Sequence, residues 1–218
     1  RSYDDSTQSK GTILTAKPEI APQVIQRIQA DATHVYFNTG TNPAPNYTGL
    51  IRRVEVGAGS ALNLKQWVKE PTDLALHGDH VYWTTRMGPA VQRAMKNGSQ
   101  PEILVKEVMG SVALTVDGTF VWWANQAKLS IDLQEGSIMR APVTGGSPVT
   151  VATAQRHPVA MASGTNHVWW VNEGTKAGNW TDGQLVRFER SGQSKPEVIR
   201  DDMERPADLS VTLGAVWW

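Results

Sequence analysis

The sequence contains no cysteine, so neither a disulfide nor a thiolate metal site holds this chain together. The absence does not fix a compartment. It also has no apolar run near the roughly 18 residues that a spanning helix needs, and no amino-terminal apolar core of a signal peptide. Charge of one sign is missing too. With 21 basic against 21 acidic residues there is no electrostatic attraction for nucleic acid, polyphosphate or an anionic membrane. A start at Arg1 without an initiator methionine predicts a processed or excised product. What remains is one globular body of 218 residues, 40% hydrophobic, with an unusual nine tryptophans.

Seven of those nine tryptophans fall in one short strand that is written five times: HVYFN from His34, HVYWT from His80, FVWWAN from Phe120, HVWWVN from His167 and AVWW from Ala215. The shared valines are Val35, Val81, Val121, Val168 and Val216, spaced by 46, 40, 47 and 48 residues. A period of this size predicts a repeat architecture. Around each marker strand the same unit recurs. In the second unit an inner strand DLALHG turns into HVYWT, a loop follows, VQRAMKNG returns and PEILVKE runs outermost. Four strands of about five residues with Gly, Asn or Asp at the turns read as one antiparallel propeller blade. Both faces of such a blade pack on neighbours, which explains a marker strand that is apolar throughout rather than alternating.

The fifth unit, from Pro206, has two strands, and GTILTAKPE from Gly11 with PQVIQ from Pro22 supplies two more of the third and fourth type. The sequence therefore predicts an all-β, five-bladed β-propeller of four-stranded antiparallel blades over residues 11–218, behind a polar lead-in at 1–10. Residues of about 206–218 would pair with about 11–26 to close the ring as a mixed blade. Such closure hydrogen-bonds edges that would otherwise invite aggregation. The same blade formed between chains would give self-association.

HVYWT, preceded by PTDLALHG and followed by VQRAMKNG, resembles the YWTD repeats of low-density lipoprotein receptors and related repeats of bacterial extracellular proteins. The resemblance runs from about Gly11 to Trp218. It implies an extracytoplasmic module, secreted, periplasmic or on the cell surface, that binds or scaffolds rather than catalyses. Two departures stand out. The Asp of the motif is replaced by Thr85, Asn125 or Asn172, so that family contact does not carry over, and the receptor propellers have six blades.

Function is then sought by position in the ring. The aligned start of the innermost strand falls on Arg27, Asp73, Ala113, Ala160 and Asp208, beside the central tunnel. Arg27 with Asp73 and Asp208 makes a candidate ligand-binding mouth, or a set of charges that balance one another. Calcium would want more oxygen ligands and no arginine among them. Five-bladed glycosidases of the arabinanase type place carboxylates here, which keeps a small glycosidase or lyase as an alternative. His34, His80 and His167 are equivalent repeat residues about 10 Å or more apart on stacked sheets, too far for zinc ligands at about 2 Å. No nucleophile-elbow motif is present. No cofactor or metal is expected. The loops after the marker strands all leave on one face, where Tyr47, Arg86, Met87, Asn179, Trp180 and Asp182 are the side chains expected to touch a protein or glycan partner. A carbohydrate lectin with repeated sites is the further alternative, although the recurring residues here are apolar.

Overall fold

The computed structural model describes residues 23–41, 48–58, 60–106, 110–126, 136–192, 194–212 and 215–218, and every regular element within them is a strand. Four antiparallel sheets of four strands follow one another in chain order. The first is β1 (Gln23–Ala30), β2 (His34–Thr41), β3 (Thr48–Glu55) and β4 (Ala61–Lys69). The second is β5 (Pro71–His77), β6 (His80–Thr85), β7 (Val91–Met95) and β8 (Glu102–Val105). The third is β9 (Ser111–Val116), β10 (Phe120–Asn125), β11 (Gly136–Pro142) and β12 (Val149–Gln155). The fourth is β13 (Pro158–Ser163), β14 (His167–Asn172), β15 (Gly183–Glu189) and β16 (Glu197–Met203). A fifth unit consists of β17 (Ser210–Thr212) and β18 (Ala215–Trp217).

One sequence expectation is corrected at the amino-terminal side. Pro22–Gln26 was expected to begin a separate outer strand. Instead Gln23, Val24 and Ile25 pair with Thr41, Gly40 and Thr39, and a bulge between Ile25 and Arg27 carries them into β1. The marker strand β2 stays extended past Asn38, and its free edge is what recruits them. The expected partner segment for the fifth unit therefore shortens to 11–22, which lies outside the described residues.

The marker strand is the second strand of every unit, and its side chains alternate between two interfaces. Val81 and Trp83 pack toward the first sheet with Tyr36, Ile51 and Val68, while Tyr82 packs toward the third with Val121 and Trp123. Trp122 and Ala124 then face the fourth sheet, meeting Val168 and Trp170, and Val171 faces the fifth unit with Leu209. Period-two geometry sends successive residues to opposite faces, and each face finds a neighbouring sheet. The sheets thus stack face to face, with β1 against β5, β5 against β9, β9 against β13 and β13 against β17. Trp83, Trp122, Trp123 and Trp170 are fully buried by this stacking. Trp217 and Trp218 of the last marker copy are 63% and 54% exposed.

Polar ties reinforce two of the interfaces at the inner hairpins. Asp117 is 1% exposed at its side chain and accepts hydrogen bonds from Thr119 N, Phe120 N and Trp122 Nε1, with Arg190 of the fourth sheet at 3.0 Å. Asp31 of the first sheet is met in the same way by Lys96 of the second at 2.9 Å. The equivalent position in the second sheet is His77, and Asp79, two residues further on, is exposed with no such side-chain bond among the described residues. Burial alone would raise the Asp117 carboxyl, but its donors and the Arg190 charge outweigh that and hold it below the usual carboxylate range. A lowered folded pKa stabilises the fold at neutral pH, and the contribution is lost as pH falls through it. Asp117→Ala is accordingly expected to cost about 2–4 kcal/mol at pH 7, because a buried tie is broken from one side. Asp79→Ala should stay within about 0.5 kcal/mol. Urea unfolding at pH 7 and pH 3 checks both, with the Asp117 difference shrinking at the lower pH.

Candidate functional site

The inner strands converge on one cavity of about 390 Å³. Its lining takes Arg27 and Ile28 from β1, Asp73 and Leu74 from β5, Leu114 from β9, Ala160 and Met161 from β13, and Asp208 and Leu209 from the segment leading into β17. These are aligned positions of the five units. Arg27, Asp73 and Asp208, the candidate ligand-binding residues, are thus brought together in the lining of one cavity. Their chemistry is more constrained than the sequence suggested. Arg27 Nε lies 3.6 Å from Asp73 Oδ1, while Asp208 shares the cavity without joining that ion pair. Asp73 is only 9% exposed, and its two oxygens accept Leu74 N and Leu114 N at 2.8 Å each. One carboxylate thus ties three adjacent sheets. Asp208 is exposed and accepts Leu209 N at 2.8 Å, repeating the local half of that arrangement. Burial pushes Asp73 up to about 6, against the pull of Arg27 and the two N–H donors, and the Asp208 charge adds to the rise. Among the described residues, no group of three His, Asp or Glu is placed to hold a metal ion.

The described loops after β6 and β14 leave where the inner strands β5 and β13 begin, the end that carries the cavity residues Asp73 and Ala160. Tyr47 is outside the described residues. Arg86 lies 3.3 Å from Glu70 and Met87 is 49% exposed. The loop from Glu173 to Gly183 is internally fastened. Asp182 accepts Thr175 N and Thr175 Oγ1 at 2.7 and 2.8 Å, and Gly178 N donates to the same Thr175 oxygen. A Cβ on Gly178 would sit 2.3 Å from Asp182 Cγ, so only glycine fits there. Asp182, expected to meet a partner, instead organises the loop that presents Asn179 and Trp180.

Sequence reasoning missed the residues around Trp180. The linker that follows each outer strand turns through a left-handed residue: Glu70 at φ 46°, Gly110 at 87°, His157 at 59° and Arg205 at 44°. His157 Nδ1 lies 2.9 Å from Glu173 Oε2, and Arg205 Nε and Nη2 donate to Glu173 Oε1 at 3.2 and 3.0 Å. The Arg205 guanidinium stacks over the Trp180 ring at 5.0 Å, and the His157 ring meets the same indole edge-on. The signal that could have found them is positional. Glu70, His157 and Arg205 each precede a proline and sit at one aligned place in the repeat.

No protein-family model matches the chain, and no curated protein matches it. Solved structures do. A chain in the crystal structure of a nidogen/laminin complex superposes with a TM-score of 0.70 at 14% identity, over 89% of this chain and 71% of that one. The crystal structure of the computationally designed Ika4 protein gives 0.58 at 15% identity, over 78% and 94%. At such identities the likeness concerns fold alone. Together with the stacked four-stranded sheets it supports a β-propeller-like fold, while the YWTD type has no sequence match behind it.

The cavity charges make a measurable prediction. The Asp73 carboxyl should titrate near pH 6 by carbon-13 NMR, lower in Asp208→Asn and higher in Arg27→Gln. Because its folded pKa lies above the ordinary carboxylate value of 3.8, it favours folding fully below about pH 4, and that contribution disappears as pH rises through about 6. Asp73→Asn should remove this slope from the stability profile.

Proposed function

We propose that the chain is a non-enzymatic propeller that recognises a protein partner through the loop face, acting outside the cytoplasm. The observation that carries this reading is the construction of that face. A stacked-sheet body holds an internally bonded loop after β14 with Asn179 exposed and Trp180 partly exposed, Met87 is 49% exposed on the loop after β6, and the inner strands carry the cavity of Arg27, Asp73 and Asp208. Rigid scaffolds with side chains so placed are the usual form of a recognition surface. The structural neighbour from a nidogen/laminin complex supports reading the partner as a protein.

In the same reading the fold is a five-bladed ring of the YWTD kind. Residues 11–22 complete the fifth blade beside β18, within one chain or between two. Two observations support this: five aligned inner positions around one cavity, and apolar side chains left uncovered at the two ends of the stack. Those side chains are Val24 and Ile25 on one side and Trp217 and Trp218 on the other, all more than half exposed.

Carboxylate-based glycoside hydrolysis is the second reading, favoured by one observation, two carboxylates in one cavity with Asp73 buried, which pushes its carboxyl up toward the range of a proton donor. Against it, both Asp73 oxygens are occupied by backbone donors. Turnover in a broad glycoside screen that is lost in Asp73→Asn and in Asp208→Asn would replace the binding reading.

The binding reading predicts that proteins cross-linked to the immobilised chain attach through the loop face, with capture reduced about tenfold or more when 175–181 is replaced by a short glycine linker. Unchanged capture, or a glycan-array signal in place of it, contradicts the assignment. Closure predicts that removing residues 1–20 raises acrylamide quenching of Trp217 and Trp218. Equal quenching before and after removal contradicts it.

A further inference from the structure

A left-handed backbone residue other than glycine is costly, and such strain marks places where a side chain is retained for its own sake. The linker turn itself needs only the conformation, since Gly110 makes it between the second and third sheets. At the equivalent places stand His157 and Arg205, and Asn179 and Trp180 on the adjoining loop are left-handed as well, at φ 52° and 62°. Four strained side chains thus gather at one spot. Three of them touch: Arg205 stacks on Trp180, Trp180 meets His157, and Glu173 is bonded to both His157 and Arg205. The backbone is locked around them, with Trp180 N donating to Thr175 O at 2.9 Å and Arg205 N to Trp180 O at 3.1 Å.

The guanidinium of Arg205 is only half used. Its Nε and one Nη2 hydrogen serve Glu173 Oε1, Nη1 has no bond among the described residues, and the side chain is 59% exposed. The indole beneath fixes the plane of the guanidinium, and Glu173 fixes its rotation. What remains is the terminal edge, two parallel N–H groups in a fork facing solvent. That geometry accepts a carboxylate through both oxygens, which a lysine ammonium cannot reproduce. Trp and Arg are also the residues that most often anchor protein interfaces.

We infer that Arg205, held by Trp180 and Glu173, is a carboxylate-docking anchor on the loop face, and that its ligand is an acidic segment of a partner protein. This deepens the protein-binding reading and rests on it. His157 positions Glu173, and the free fork of Arg205 takes an Asp or Glu side chain.

The test is an NMR titration of the full chain, nitrogen-15 labelled, with capped hexaglutamate, capped hexalysine and inorganic phosphate, observing the Trp180 indole N–H and the Arg205 Nε–H. Hexaglutamate should shift both resonances saturably, hexalysine should shift neither, and phosphate should act at least tenfold more weakly. Arg205→Lys should weaken hexaglutamate at least tenfold although the charge is kept. Arg205→Gly should abolish binding with little change in Tm, because relief of the strained φ offsets the lost ion pair and indole stack. No shift with hexaglutamate, equal affinity in Arg205→Lys, or an equal response to phosphate overturns the proposal. If hexaglutamate fails while replacement of 175–181 still reduces partner capture, only the acidic-segment assignment falls. If capture is indifferent to that loop, the loop-face reading falls with it.

Discussion

A strand that is apolar on both faces cannot exist at a surface, and the rest of this structure depends on that constraint. Each marker strand sends one set of side chains to the preceding sheet and the other to the following sheet, so no unit can bury its own aromatic residues. Trp83 needs the first sheet, Trp123 the second and Trp170 the third. Stability is therefore shared between neighbours, as in other repeat architectures, and the termini of the stack are where it is least complete. The exposure of Trp217 and Trp218 is the visible consequence.

Packing alone does not set the quality of each interface. Trp170 Nε1 donates to Gln155 Oε1 at 2.7 Å across the third and fourth sheets, and Asn172 Nδ2 reaches the same oxygen at 3.1 Å. Trp83 Nε1 and Trp123 Nε1 are buried with no acceptor among the described residues, and each such orphan donor costs about 1–3 kcal/mol. The third-to-fourth interface has both this acceptor and the Asp117 tie. The second-to-third joint is bridged differently, by Leu114 N donating to Asp73 and Thr72 Oγ1 donating to Ser111 O at 2.8 Å each.

Much of this was legible in the sequence. The five valines gave the unit length, turn residues gave strand ends, and the aligned column of Arg27, Asp73 and Asp208 met in one cavity because a repeat places equivalent residues around one axis. The bulge between Ile25 and Arg27 was not legible, since pairing of Gln23–Ile25 depends on how far β2 stays extended. Nor was the inward role of Asp182, which follows from a loop conformation made possible by Gly174 and Gly178. His157 and Arg205 share an aligned place before proline in the sequence, but their grouping with Glu173 was not legible there. Their significance lies in backbone strain and mutual contact, neither of which composition or period records.

The closed ring proposed above requires that the fifth unit come round to the first. A distance between spin labels at Gln29 on β1 and Ser210 on β17 tests it most directly. Neighbouring inner strands of stacked sheets lie about 10 Å apart, so a closed ring predicts a narrow distribution within about 20 Å once label length is included. A broad distribution centred well beyond that distance would contradict closure and the propeller account built on it.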